Sequence, residues 1–277
     1  MLPLWRDRIQ VFLAPARLDW VRLKRGFKPV QLDKATVFFE PNGNAQDWDA
    51  ALRQLDQVLS GGSGTQIAIV LSNHFVRYAA LPPQSEINTP EEVKSYAQFR
   101  MQEIYGERAE SWVLSVSNWN PVDGAVCAAI PRDLLTRLEQ LMVTHGCKLQ
   151  HVEPYLASVY DHWCAHLQNE KIYLAVIETG RICIAISYNG KWQSIRNQRI
   201  LHNAADDLLA ALDQEVIWSG TKETLESVYL FAPEYPGLTL PSQSGWQVVT
   251  LPQKNLPVPA YYPTVTAHQS DQNQCPA

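Results

Sequence analysis

The chain has 277 residues, 46 % of them hydrophobic, which is enough material for two modest domains or one large one with real cores. With 23 basic against 28 acidic residues, a net charge of −5 and no long run of either sign, it lacks the electrostatic grip that nucleic acid or anionic lipid demands. Five scattered cysteines, two of them (Cys127 and Cys183) inside apolar runs, read as free thiols of a reducing compartment. No stretch approaches the roughly 18 apolar residues of a membrane span, and the opening MLPLWRDRIQVFLAP is broken by Arg6, Asp7 and Arg8 before it reaches secretory length. The expected setting is cytoplasmic, with no direct membrane insertion.

Strand-like segments at 9–13, 18–23 and 35–40 open the chain, with a turn near Arg25-Gly26-Phe27. Asn44 is placed to cap a helix whose Trp48, Leu52, Leu55 and Leu59 share one face and which stops at Gly61. Strands are expected at 66–72 and 75–81. Thr89, Pro90 and Glu92 then make a capping box with proline at the first helical position, Gly106 supplies the stop, and the inner stripe is read as Val93, Ala97, Met101 and Ile104. Two strands follow, 111–119 and 125–130, joined at Pro121-Val122-Asp123-Gly124. Pro131 starts a helix with Leu134, Leu138, Leu141 and Met142 inward and Gly146 as its stop. A strand at 148–152 leads to a helix at 154–167, with Leu156, Val159, Tyr160 and Trp163 inward.

The stretch 171–199 reads as three antiparallel strands, 172–177, 182–188 and 191–199, joined by Glu178-Thr179-Gly180 and by Asn189-Gly190. Asn-Gly between apolar runs is a strong hairpin signal, because a type I′ turn needs positive φ at both central positions. A helix at 204–218 with Leu208, Leu209, Leu212 and Val216 buried, and strands at 227–231 and 247–251, complete the pattern. The last sixteen residues or so are polar, without periodicity, and are expected to be disordered.

Three antiparallel strands, a helix and a further strand, given twice with a block inserted in the first copy, resemble the actin-like ATPase superfamily. FVRYAALP (75–82), CAAIPRDLLTRLEQLMVTHGCKLQHVEPYLASVY (127–160) and IYLAVIETGRICIAISYNGKW (172–192) resemble, in order and spacing, segments of PilM-type pilus-assembly proteins and of the cytoplasmic part of type II secretion L proteins. The resemblance implies an α/β, actin-like (ribonuclease H-like) two-domain fold with an inserted α/β subdomain in the first domain. It places the first domain at 1–153, with the insertion at about 73–130, the second at 154–260 and a tail at 261–277.

In that superfamily two hairpins with glycines and acidic residues approach the phosphates and a magnesium ion, and a late Gly-Gly turn approaches the adenosine. Only glycine lets backbone amides crowd a phosphate, and a carboxylate holds the metal. Here the first hairpin reads Leu13-Ala14-Pro15-Ala16-Arg17-Leu18, without glycine or carboxylate. The late position reads Ala232-Pro233-Glu234-Tyr235-Pro236-Gly237. Glu178, Thr179, Gly180 and Arg181 are the remnant of a nucleotide site, though an ordinary polar turn is the favoured reading of the same residues. No cofactor is expected, and ATP with magnesium is the exception to look for.

Other constellations are weaker. Ser60-Gly61-Gly62-Ser63-Gly64-Thr65 lacks the lysine and spacing of a Walker motif and reads as a helix-to-strand turn. His162 and His166 share a helix face but do not fill a tetrahedral shell, so no metal is assigned. No nucleophile elbow or carboxylate pair stands out, and no catalytic residue is assigned.

The resemblance therefore implies a degenerate, non-catalytic cytoplasmic adaptor of a pilus-assembly or type II-secretion-like envelope machine, peripheral at the inner membrane through a partner. It implies capture of an extended cytoplasmic peptide of a membrane-anchored protein at the inserted block, where Phe75, Tyr78, Tyr96 and Phe99 are the candidate contacts; core packing is the competing reading of the same aromatics. An ATP-binding actin-like switch and an unrelated enzyme are the alternatives.

Overall fold

The computed structural model describes residues 7–24, 30–40, 48–167, 169–219 and 225–252. The turn near Arg25-Gly26-Phe27, the Asn44 cap and the polar tail lie outside them. Strands β1 (Arg8–Ala14), β2 (Arg17–Lys24) and β3 (Val30–Phe38) form an antiparallel meander. Helix α1 (Asp49–Leu59) then crosses to β4 (Gln66–Leu71), which runs parallel to β1. The same design recurs in β9 (Lys171–Glu178), β10 (Arg181–Tyr188), β11 (Lys191–Arg199), α5 (Ala204–Ser219) and β12 (Glu226–Phe231), with β12 parallel to β9. A fifth, parallel strand closes each sheet: β8 (Lys148–Pro154) beside β4, and β13 (Trp246–Thr250) beside β12.

Between β4 and β8 the first copy carries β5 (Arg77–Leu81), α2 (Pro90–Tyr105), β6 (Trp112–Val116), β7 (Ala125–Pro131) and α3 (Arg132–Thr144). Its three strands make a separate antiparallel sheet in the order β5-β7-β6. Helix α4 (Tyr155–Trp163) follows β8 and leads into the second copy.

The second sheet explains its own sequence. Every residue of β10 from Arg181 to Ser187 is buried, and so is β9 from Tyr173 to Glu178, because both faces are covered. Tyr173, Ala175, Ile177, Ile182 and Ile184 pack with Leu208, Leu212 and Val216 of α5. Leu174, Val176, Cys183 and Ala185 pack with Tyr155, Leu156 and Val159 of α4 in the core that also holds the first sheet. Strands buried on both faces read as continuous apolar runs rather than alternations. Tyr155 joins the halves directly, its ring 4.7 Å from Phe12 of β1 and 6.0 Å from Phe231 of β12.

The local signals act as expected at several points. The amide of Glu92 donates to Thr89 Oγ1 at 3.3 Å, and the Glu92 carboxylate accepts from the Thr89 amide at 2.9 Å, so the capping box is formed. Asn189 and Gly190 both have positive φ, 48° and 77°. The glycine run after α1 is a helix-to-strand turn, with the Gly62 amide donating to Leu59 O at 2.9 Å.

Three expectations need correction. In α2 only Ala97 and Met101 of the proposed stripe are buried, while Ile104 is 49 % exposed. The helix rests on a sheet of small side chains (Ala79, Ala125, Ala129), so a narrow i, i+4 row suffices and Tyr105 takes the last place, donating its hydroxyl to Tyr78 O at 2.9 Å. Pro131 precedes α3 as its cap residue rather than starting it. Cys127, Cys147 and Cys183 are free, but Cys164 is disulfide-bonded, so free-thiol usage does not extend to it.

Gly124 closes the β6–β7 connection with φ 79°, and a Cβ there would lie 2.2 Å from Leu81 O. Gly124→Ala combines left-handed strain with a clash against backbone, and is expected to cost more than about 1 kcal/mol in urea unfolding. Gly190→Ala, which meets nothing within 4 Å, carries only the φ strain and costs less.

Candidate functional site

Two regions are candidates, the junction of the two β-hairpins and a groove beside the inserted sheet. At the junction, Arg17 at the start of β2 and Thr179 at the β9–β10 turn come together across the two sheets. The carboxylate of Glu234, on the loop after β12, joins them: Oε1 lies 2.6 Å from the Arg17 guanidinium, and Oε2 accepts from both the amide and the hydroxyl of Thr179. Arg17 also sits 3.0 Å from Asp19 and stacks over the Phe12 ring at 5.0 Å. Burial opposes its charge, but Asp19 and Glu234 raise its affinity for the proton above the ordinary value.

The four remnant residues do not converge. Glu178 is 3 % exposed and faces inward, its Oε2 accepting the Asn73 amide at 2.9 Å and its Oε1 buried with no hydrogen-bond partner. Burial pushes its pKa up to about 7, against the opposing pull of Ser72 and the Asn73 amide. Thr179 holds Glu234, and the Gly180 amide donates to the Tyr235 hydroxyl at 3.4 Å. Arg181 turns the other way, to Asn197 Oδ1 at 3.4 Å; burial and then Arg77 lower its pKa. Asn197 in turn donates to Asn73 O and Val76 O, at 2.8 and 3.0 Å, tying β11 to the segment before β5.

The second region is a groove of about 1060 Å³. One wall is the inserted sheet, through Val113 and Ser115 of β6 and Val126, Ala128 and Ile130 of β7; the opposite face of that sheet is the one α2 covers. The other wall is β8, whose residues from Leu149 to Pro154 line the groove without a gap. Consecutive residues line it because the groove runs along the strand's edge, and β8 has no strand on that side among the described residues. Leu156, Tyr160 and Asp161 of α4, Glu139 of α3 and Trp192 at the tip of the β10–β11 hairpin complete the lining, with Tyr160 and Trp192 in ring contact at 4.9 Å. Burial, then the charge of Glu153, raise the pKa of Asp161 above its ordinary value. His151 Nε2 lies 3.7 Å from Glu153 Oε2.

The aromatic residues proposed for partner contact are scattered. Phe75 (3 % exposed) and Tyr78 (2 %) lie in the main core, Phe75 edge-on to Trp48 and Tyr78 donating its hydroxyl to Asn73 Oδ1 at 2.6 Å. Tyr96 is wedged against Trp119, with its hydroxyl on Pro82 O at 3.3 Å, and Phe99 is 62 % exposed on the outer face of α2. Both rings pack as core, and Tyr78 also borders the groove. The inserted sheet stands between α2 and the groove. Arg17, Glu234, Glu139, Glu153 and Asp161 carry the charge of the two regions and were not singled out from the sequence. The charged loop residue between Pro233 and Pro236 was the available signal for Glu234.

The chain has the actin-like ATPase fold, in the arrangement found in PilM- and EpsL-type proteins. It is similar to the cytoplasmic domain of EpsL, an inner-membrane component of the type II secretion system of Vibrio cholerae (11 % identity, TM-score 0.57, covering 89 % of this chain and 90 % of that one). It is similar to the PilM-PilN type IV pilus biogenesis complex (14 %, TM-score 0.59, 87 % and 88 %). A protein of unknown function with an actin-like ATPase fold from Bacteroides thetaiotaomicron matches at 12 % identity and TM-score 0.57, over 82 % of each chain. No family model and no curated protein sequence matches.

Glu178 sets a pH dependence whose sign is fixed by its raised pKa. A buried acid at about 7 that returns to 4.5 on unfolding contributes fully below 4.5, and that contribution is lost as pH rises toward 7. The stability difference between the wild type and Glu178→Gln is therefore expected to change by on the order of 3 kcal/mol between pH 4 and 8, favouring the variant at the higher pH. Denaturant melts of both proteins across that range check it; parallel curves would refute the assignment.

Proposed function

We propose that the chain is a non-catalytic adaptor of a pilus-assembly or type II-secretion-like machine, which captures an extended, basic segment of a membrane-anchored partner in the groove beside β8. The observation that carries this reading is the groove itself: a strand edge unpaired among the described residues, an apolar wall and three carboxylates in one lining. An unpaired edge offers main-chain donors and acceptors to an added strand, and the apolar wall takes alternate side chains of that strand. Glu139, Glu153 and Asp161 select positive charge. Asp161 has no cation within ion-pair distance among the described residues, so an incoming Lys or Arg relieves its repulsion from Glu153.

The fold shared with the PilM-PilN complex and the EpsL domain supports the setting. No helix among the described residues is long and apolar enough to cross a membrane, which fits attachment through the partner. The adaptor acts as a rigid receptor: α4, which lines the groove, is anchored at Tyr155 between Phe12 and Phe231. Residence at the inner membrane follows from the partner, and no step of this role needs a nucleotide or a metal.

Capture from solubilised membranes, read by mass spectrometry, tests the proposal. The wild type and Phe99→Glu should retain the same membrane protein, while Ser115→Trp, which fills the groove from an exposed position, and Asp161→Lys should retain roughly tenfold less or worse. Capture should also weaken with salt, as an exposed charge contact does. Loss in Phe99→Glu with retention in Ser115→Trp would move the site to α2 and overturn the groove.

A further inference from the structure

One lining residue of the groove is covalently committed. Cys164, just past α4, is disulfide-bonded, and its Sγ lies 3.4 Å from the carbonyl oxygen of Asp161. Of the five cysteines in the sequence, Cys127, Cys147 and Cys183 are free. The fifth, Cys275, belongs to the segment 253–277, which lies outside the described residues. Within one chain it is the cysteine left to pair with Cys164.

We propose that the segment 253–277 folds back into the groove beside β8, tethered by a Cys164–Cys275 disulfide, and closes the groove to a partner until that bond is reduced. Closure against a partner rests on the adaptor reading; the place of the segment does not.

The residues of the segment suit this place. Pro257, Pro259 and Pro263 oppose a helix and favour an extended run after Pro252, which at about 3.1 Å per residue covers on the order of 30 Å by Pro263. Thr264-Val265-Thr266 follows, a β-branched run fit for an added strand, with Val265 on one face and the threonines on the other. Laid along β8, it meets a strand edge that has no neighbour among the described residues, and Val265 can face Val126, Ala128 and Ile130 of the inserted sheet. The polar run from His268 to Gln274 then leaves slack for Cys275 to reach Cys164.

Charge separates this occupant from a basic partner. Between Gln253 and Ser270 the segment carries no carboxylate, so it enters the acidic groove without repulsion. Its cation, Lys254, lies ten positions before Thr264, and the strand-like run itself brings none to Glu139, Glu153 or Asp161. A basic segment therefore has the stronger claim on those carboxylates. The chain's own segment holds the groove through its tether, which makes docking intramolecular at an effective concentration on the order of millimolar. Closing the bond takes two electrons and two protons from the thiols of Cys164 and Cys275. A low-molecular-weight disulfide such as oxidised glutathione accepts them and leaves as two thiols, and a dithiol reverses the exchange. A disulfide in a chain whose other thiols stay reduced is suited to such switching.

Amide exchange and peptide mapping of the whole chain test the proposal, on wild type oxidised with glutathione disulfide, on the same protein reduced with dithiothreitol, and on Cys275→Ser and Val265→Asp. A non-reducing digest of the oxidised protein should yield one peptide pair, joining Cys164 to Cys275. Amides 149–153 of β8 should exchange roughly tenfold more slowly in the oxidised wild type than after reduction or in Cys275→Ser, as loss of an intramolecular tether requires. Val265→Asp should keep the disulfide and lose much of that protection. Reduction makes the comparison without a substitution, so it stands if a variant folds poorly. Exchange that is the same in oxidised and reduced protein, or a Cys164 linked to a second copy, overturns the proposal. In capture from solubilised membranes, the reduced protein and Cys275→Ser should retain more of the partner than the oxidised wild type, by roughly the same factor; equal capture overturns closure. Absence of capture in every form, with the exchange difference intact, would sink the adaptor reading and leave the segment in the groove.

Discussion

Burial of the second sheet on both faces is the constraint from which the rest of the molecule follows. Strands β9 and β10 present apolar side chains up and down, and a sheet of that kind is stable only between two layers. Helix α5 supplies one layer; α4 and the first sheet supply the other. Because α4 must lie against the second sheet and also follow β8, it pins the edge of the first sheet beside the β10–β11 hairpin. The ring of Tyr155, in contact with Phe12 and Phe231, is where the two copies share one core.

That placement creates both regions. The groove exists because the insertion between β4 and β8 folds as its own sheet, with α2 on one face and its other face turned to the outer edge of β8. Its chemistry is apolar with a surplus of carboxylate. The junction of the hairpins has opposite requirements, since it buries charge, and buried charge persists only when paired and hydrogen-bonded. Arg17, Glu234 and Thr179 meet that condition among themselves, and Asp19 lies 3.0 Å from the Arg17 guanidinium.

Much of the fold was legible from local pattern. The capping box at Thr89 and Glu92, the Asn189-Gly190 turn and the glycine stop after α3 are chemical devices confined to a few neighbouring residues, and they operate wherever the chain places them. Amphipathic stripes were legible where a helix meets a deep core, as in α1, and misread in α2, where a shallow sheet of alanines accepts only a narrow row. The aromatic residues of the insertion were harder still, because spacing tells which residues share an element face but not which face meets solvent. Phe75 and Tyr78 fell in the core, and Phe99 on the far side from the groove.

The sequence by itself determined the order and type of the elements, their duplication with one insertion, and the first hairpin's lack of glycine and acid. These are properties of short segments, governed by backbone sterics and by the period of the apolar residues. Only the tertiary structure decided that Arg17 and Glu234, more than two hundred residues apart in the chain, share an ion pair at 2.6 Å, and that Asp161 shares a groove with β8. Charge pairing depends on distance in space and on exclusion of water, and neither is written in the spacing of residues along the chain.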